Sequence, residues 1–169
     1  MSHPRVELHI KDHGTITLEL DADKAPVTVA NFLAYVESHH FNDTIFHRII
    51  DGFMIQGGGF TADMKQKDSI DNIENEAHNG LKNDHYTVAM ARTSDPHSAS
   101  SQFFINLTGN DFLNHSSPTP QGWGYAVFGK VVEGKEVVDA LGKVKTGRRG
   151  FHDDVPKEDV IIAKAVLVD

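Results

Sequence analysis

FHRIIDGFMIQGGGF, residues 46–60, holds two short apolar runs and ends on three glycines. Apolar runs of this length bounded by turn formers read as strands, here over 45–50 and 53–57. A core strand needs neither Arg48 nor Gln56. Side chains alternate across a strand, so Arg48 shares a face with Phe46 and Ile50. By the same rule Met54 shares one with Gln56, opposite Phe53 and Ile55. In SQFFI (101–105), Gln102 and Phe104 fall on one face, Phe103 and Ile105 on the other. Three strands thus each offer one long polar group beside an apolar one. Small-ligand pockets are built that way: an apolar floor with a few aimed polar groups.

Outward from this stretch, VELHI (6–10) and TITLEL (15–20) alternate with period 2 around a turn, which predicts a hairpin. In APVTVANFLAYVES (25–38), Val29, Phe32, Leu33 and Val36 fall on one helical face, with Pro26 in the first turn. TVAMAR (87–92), SQFFINL (101–107), YAVFGKVV (125–132) and VIIAKAVLV (160–168) read as strands, and GKEVVDAL (134–141) as a short helix. Residues 60–86, 110–124 and 142–159 read as loops. An aperiodic stretch as long as 60–86 reads either as functional or pinned by something else, or as a solvated excursion. About eight strands with two helices, not regularly alternating, predict a mainly-β barrel or sandwich.

The 169 residues fit one domain, spanning 1–169. A net charge of −8 argues against a general nucleic-acid or anionic-membrane surface. No apolar run reaches the roughly 18 residues of a membrane span. MSHPRVELHI carries no apolar signal region, and there is no cysteine, so a cytoplasmic protein is expected. Ser100 and Ser101 lack a nucleophile-elbow context, and the glycines form no phosphate-binding pattern. Eleven histidines are scattered. His39 and His40 read as the end of the first helix; His78, His85, His97, His115 and His152 read as solvated loop residues. Neither a metal nor a cofactor is expected.

FHRIIDGFMIQGGGF, MARTSDPHSASSQFFINL and GYAVFGKVVEG, in this order and spacing, resemble the cyclophilin family of peptidyl-prolyl cis–trans isomerases. NEAHNGLKN, QGWGYAVFGKV and DVPKEDVII resemble its short bacterial branch. The resemblance covers nearly the whole chain. It implies a closed eight-stranded antiparallel β-barrel capped by two α-helices, with Arg48 as the catalytic residue. It implies a proline pocket of Phe53, Met54, Phe104 and Leu113, with Gln56 and Gln102 in the same groove. The backbone edge that pairs with substrate falls on Ala91 and Arg92. Phe112 stands where many members carry a tryptophan that contributes to cyclosporin binding, which implies weak binding of that inhibitor. Tyr125 stands where many have a pocket histidine, and Arg92 where an asparagine is common. The partners implied are proline-containing peptides and unfolded or folding proteins, met by a monomer without nucleic acid or membrane. The same groove would also serve a proline-peptide adaptor or chaperone module without turnover, and the histidines leave a metal-dependent enzyme as a third reading.

Overall fold

The computed structural model describes residues 3–69, 72–150 and 152–168. The opening hairpin forms as its alternation predicts. β1 (Arg5–Ile10) pairs with β2 (Gly14–Leu20), and Val6, Leu8, Ile16, Leu18 and Leu20 are buried. Helix α1 (Pro26–Glu37) follows, with Val29, Phe32, Tyr35 and Val36 buried. Its first turn has no cap from its own sequence. Glu76, 48 residues away, supplies one: its carboxylate accepts from Thr28 N–H at 2.7 Å and Thr28 Oγ1–H at 2.6 Å. A carboxylate there satisfies orphan donors and complements the helix dipole.

Then come β3 (Thr44–Ile45), β4 (Arg48–Ile50), β5 (Met54–Gly57) and β6 (Phe60–Thr61). β7 (Thr87–Met90), β8 (Phe103–Asn106) and β9 (Val127–Glu133) precede helix α2 (Lys135–Gly142). The chain ends with β10 (Thr146–Arg149), β11 (His152–Pro156) and β12 (Ile161–Leu167). Among the described residues no helix is long and apolar enough to cross a membrane.

The fold is mainly β with two helices, but the expected closed eight-stranded barrel is not what forms. Ten strands make one antiparallel sheet in the order β4-β5-β8-β7-β9-β2-β1-β12-β3-β6, and β10 and β11 make a separate hairpin. The sheet curls, since β3 and β4 lie near its opposite ends yet are separated in sequence only by Phe46 and His47. No ladder joins β4 to β6. The predicted strand over 45–50 is broken at these two residues, and both are buried: Phe46 is 0% exposed, and His47 is 6% exposed with its ring against Phe60 and His152. Phe46 therefore packs in the main core instead of sharing a face with Arg48. The hairpin β10–β11 lies within the predicted loop 142–159, and β6 at the start of the predicted loop 60–86.

Two apolar clusters flank the sheet. Inside, Phe32, Phe41, Phe103 and Phe128 meet Val88, Ile55 and Ile105, with ring centroids 4.9–5.5 Å apart around Phe32 and Phe41. On the outer face, Met54, Ala89, Phe104, Leu113 and Val127 form a smaller cluster. Period-2 alternation is the cause: Ile55, Phe103 and Ile105 go in, Met54 and Phe104 go out.

Candidate active site

Strand register lines up the outer-face residues. Arg48 pairs with Gln56, Gln56 with Phe104, Phe104 with Ala89, and Ala89 with Val127. One row thus crosses five strands, and strands lie about 4.8 Å apart, so Arg48 and Phe104 sit roughly 10 Å from each other along it. Met54 is two residues before Gln56 and so lies diagonal to Phe104. A cavity of about 140 Å³ opens over this row. Arg48, Phe53, Met54, Gln56, Ala91, Arg92, Phe104, Leu113 and Tyr125 line it. Nine of the eleven residues expected from the sequence are therefore brought together.

The floor is buried and apolar: Met54 is 2% exposed, Phe104 4% and Leu113 9%. Alternation assigned Phe53 to the opposite face from Met54. Phe53 lies instead in the turn before β5, where its carbonyl accepts from Leu107 N–H at 2.9 Å and Asn110 Nδ2 at 3.0 Å. That anchoring swings its ring to the groove side. Arg48 is exposed, and its side chain makes no hydrogen bond or ion pair among the described residues. An arginine so placed keeps all five donors for a ligand.

The remaining two expected residues sit beside the cavity. Gln56 Nε2 donates to Gln102 Oε1 at 3.0 Å, so Gln102 acts on the central cavity only through Gln56. Gln102 lines an adjoining cavity of about 210 Å³. A Cβ at Gly59 would stand 2.5 Å from Gln102 Cγ, so the third glycine of the opening stretch leaves room for this side chain. Phe112 stacks on Phe53 at 5.8 Å and is 74% exposed, forming a rim.

Arg92 is pinned by the backbone. Its Nε donates to Gly124 O at 3.0 Å, and its terminal nitrogens donate to Thr93 O at 2.8 Å and Pro120 O at 3.4 Å. Its guanidinium carbon lies 4.6 Å from the centre of the Tyr125 ring, which packs edge-on against Phe104 at 5.7 Å. Beyond the end of β7, Ala91 C=O and Arg92 N–H make no backbone hydrogen bond among the described residues. That leaves a short free edge beside the cavity.

Sequence reasoning missed what holds this wall up. Asn83 and Asn106 are 0% exposed and Asn110 3%. Asn106 Nδ2 donates to Asn83 Oδ1 at 3.0 Å, and Asn110 Nδ2 to Asn106 Oδ1 at 2.8 Å. Asn83 N–H donates to Asn114 Oδ1 at 2.6 Å, and Asn83 Nδ2 to Leu113 O at 3.2 Å. The predicted loops 60–86 and 110–124 are thus tied together behind Leu113 by buried amides. A fully satisfied network of this kind fixes one geometry. The signal was there: an asparagine inside the predicted strand SQFFINL has no place in an apolar core without partners.

His78, His85 and His97 are exposed as expected of solvated loop residues, whereas His40 departs from its expected place at a helix end. α1 stops at Glu37, and His40 is 9% exposed with Nε2 3.2 Å from Gly58 O. Burial, then the charge of Lys67, lowers its pKa. His47 beside Arg48 is pushed down to about 4 by burial, then by His152 and Arg48, and its Nδ1 is buried without a hydrogen-bond partner among the described residues. His78, His97 and His115 come from three loops to surround Trp123, with ring centroids 5.0–5.4 Å away. Donor atoms of His3, Asp21 and Asp23 lie within 4.8 Å of one another, and His3 and Asp21 line a different cavity of about 190 Å³.

The family described as cyclophilin type peptidyl-prolyl cis-trans isomerase/CLD matches residues 5–167. The peptidyl-prolyl cis-trans isomerase cyp18 of Streptomyces antibioticus is 63% identical over 92% of this chain and 93% of its own length. Peptidyl-prolyl cis-trans isomerase B of Escherichia coli (strain K12) is 60% identical over 92% and 95%. A solved cyclophilin type isomerase from Cryptosporidium parvum is 27% identical with a TM-score of 0.80, covering 99% of this chain and 98% of that one. A structure of that protein in the presence of the dipeptide Ala-Pro gives a TM-score of 0.79, covering 98% and 99%. With the family matched from β1 to β12 and the outer-face row in place, the chain belongs to the cyclophilin-type peptidyl-prolyl cis–trans isomerases.

Proposed function

We propose that the chain, as one domain spanning residues 1–169, accelerates X–Pro rotation by gripping the proline ring on Phe53, Met54, Phe104 and Leu113 while Arg48 faces the prolyl nitrogen. One observation carries this reading: an unpartnered guanidinium and a buried apolar floor line the same cavity of about 140 Å³.

The barrier to peptide-bond rotation is about 18–20 kcal/mol and arises from amide resonance. In the twisted transition state the prolyl nitrogen recovers its lone pair. A donor aimed there binds the twisted state better than the planar one, and only such differential binding accelerates the step. A 10⁴–10⁵-fold acceleration requires about 5–7 kcal/mol. One charge-assisted hydrogen bond from Arg48 supplies about 1.5–3 kcal/mol of it. The rest comes from holding the ring and the flanking carbonyls in the orientation of the twisted state.

Gln56, steadied by Gln102, bonds the carbonyl that moves. The free edge at Ala91 and Arg92 takes the peptide backbone as an added partial strand. Tyr125 and Phe112 flank the ring. No proton is transferred, so no acid–base pair is needed. Substrates are proline-containing segments of peptides and of unfolded or folding proteins, met by a cytoplasmic monomer. The exposed Phe112 offers cyclosporin less surface than a tryptophan, so that inhibitor binds weakly. Exchange NMR on an Ala-Pro peptide tests the reading. Arg48→Ala lowers kcat/KM by one to three orders of magnitude with the fold retained, and near-normal turnover in that variant sinks the proposed role.

A further inference from the structure

Three cavities meet at Arg92. It lines the central one of about 140 Å³, the adjoining one of about 210 Å³ that holds Gln102, and a third of about 520 Å³ at the Phe112 rim. No Asp or Glu lines any of them. The full charges on their walls are Arg48 and Arg92 alone, in a chain whose net charge is −8.

Neither arginine forms an ion pair among the described residues. Arg92 is nevertheless fixed in place. Three neutral backbone carbonyls take three of its donors, and the Tyr125 ring backs its plane. Carbonyls orient a guanidinium without cancelling its charge, and a guanidinium has five N–H groups, so two remain. A rigid, uncompensated fork is a carboxylate receptor. Its position at the junction of three cavities puts it beside the residues that flank a bound proline. Arg48, in contrast, faces the central cavity.

We infer that Arg92 makes this groove select segments carrying an acidic residue within two positions of the proline. This rests on the proline groove proposed above. The chain's overall negative charge does not cancel the effect at short range. At physiological salt it is screened beyond about 8 Å, whereas a carboxylate in the groove lies closer to Arg92 than that. A carboxylate about 6 Å from the guanidinium in a site open to water gains roughly three- to fivefold in affinity over a neutral residue.

The test is exchange NMR, which needs no coupling protease with its own sequence preference. The peptides share an Ala-Pro core and carry Glu, Lys or Ala at the position before it and at each of the two positions after it. In the wild type, Glu exceeds Lys in kcat/KM by at least threefold at one or more of these positions. Arg92→Gln brings that ratio to about one, whatever it does to the rate of the all-Ala peptide. Arg92→Lys keeps the charge, loses the three-carbonyl anchor, and retains the sign of the preference. A wild-type ratio near one at every position overturns the inference, as does an unchanged ratio in Arg92→Gln or a ratio lost equally in Arg92→Lys. The all-Ala peptide separates the two readings. If the wild type turns it over, a missing Glu preference refutes only the role of Arg92; if it does not, the isomerase groove itself is refuted.

Discussion

Glu76 lies in a segment with no periodic pattern, yet three backbone or hydroxyl donors at the start of α1 converge on it. Thr28 N–H and Oγ1–H are at 2.7 and 2.6 Å, and Val27 N–H is at 3.3 Å. Thr28 is 0% exposed, so removing the carboxylate leaves two buried donors without a partner. Losing a helix cap costs about 0.5–2 kcal/mol, and losing a negative charge at a helix N-terminus about 0.3–1 kcal/mol. The two orphaned buried donors place Glu76→Ala in the upper part of that combined range, at roughly 2–3 kcal/mol. In a domain of this size each kcal/mol shifts Tm by about 2–4 °C, which gives a drop of roughly 4–12 °C. Glu76→Gln keeps one acceptor and loses the charge, so it should fall about halfway. Differential scanning calorimetry on the three proteins measures both. A Glu76→Ala midpoint within 1 °C of wild type would refute the idea that this loop is held as the cap of α1.

Burial sets a pH dependence at His47. Its folded-state pKa is about 4 against the ordinary 6.5, so the unfolded chain takes up the proton first. Stability is therefore full above pH 6.5, declines as pH falls towards about 4 and levels below, for a loss of at most about 3 kcal/mol. Urea titrations from pH 7 to pH 4 should show this slope reduced in His47→Leu. A residual slope of the same sign should remain, because His40 is held low by burial as well; identical slopes in both proteins would contradict the assignment. At Gly59, an added Cβ would lie 2.5 Å from Gln102 Cγ, and that flexible side chain must move. Gly59→Ala should therefore break the Gln56–Gln102 hydrogen bond and lower kcat/KM about three- to tenfold with little change in Tm. An unshifted Gln102 side-chain amide resonance would rule that out.

How much was legible depended on whether a residue's role is local. Alternation in FMIQ and SQFF set Met54, Gln56 and Phe104 on one face, and the register then aligned them with Arg48. Phe46 was misassigned because one apolar run, FHRII, is two segments with a buried break between them. The hairpin β10–β11 was hidden by composition: TGRR and HDDVP have few apolar residues to alternate, and the pair stands outside the main sheet. β3 and β6 are two residues each, too short for any periodic signal. The loop 60–86 works through side chains that bond distant backbone, such as Asn75 Nδ2 to Gly124 O at 3.0 Å and Glu76 to α1. Contacts spanning some fifty residues leave no trace in local pattern. Sheet closure was beyond reach for a related reason, since it turns on how two residues, Phe46 and His47, bend between β3 and β4.

We propose that Arg48 stabilises the twisted bond more than the planar one. Measuring Arg48→Ala by exchange NMR at saturating peptide, alongside a binding titration, separates the two. The saturated isomerisation rate should fall at least tenfold, with peptide Kd within about threefold of wild type. A saturated rate that is unchanged while Kd weakens by an order of magnitude would contradict it, because Arg48 would then be holding the peptide and not its transition state.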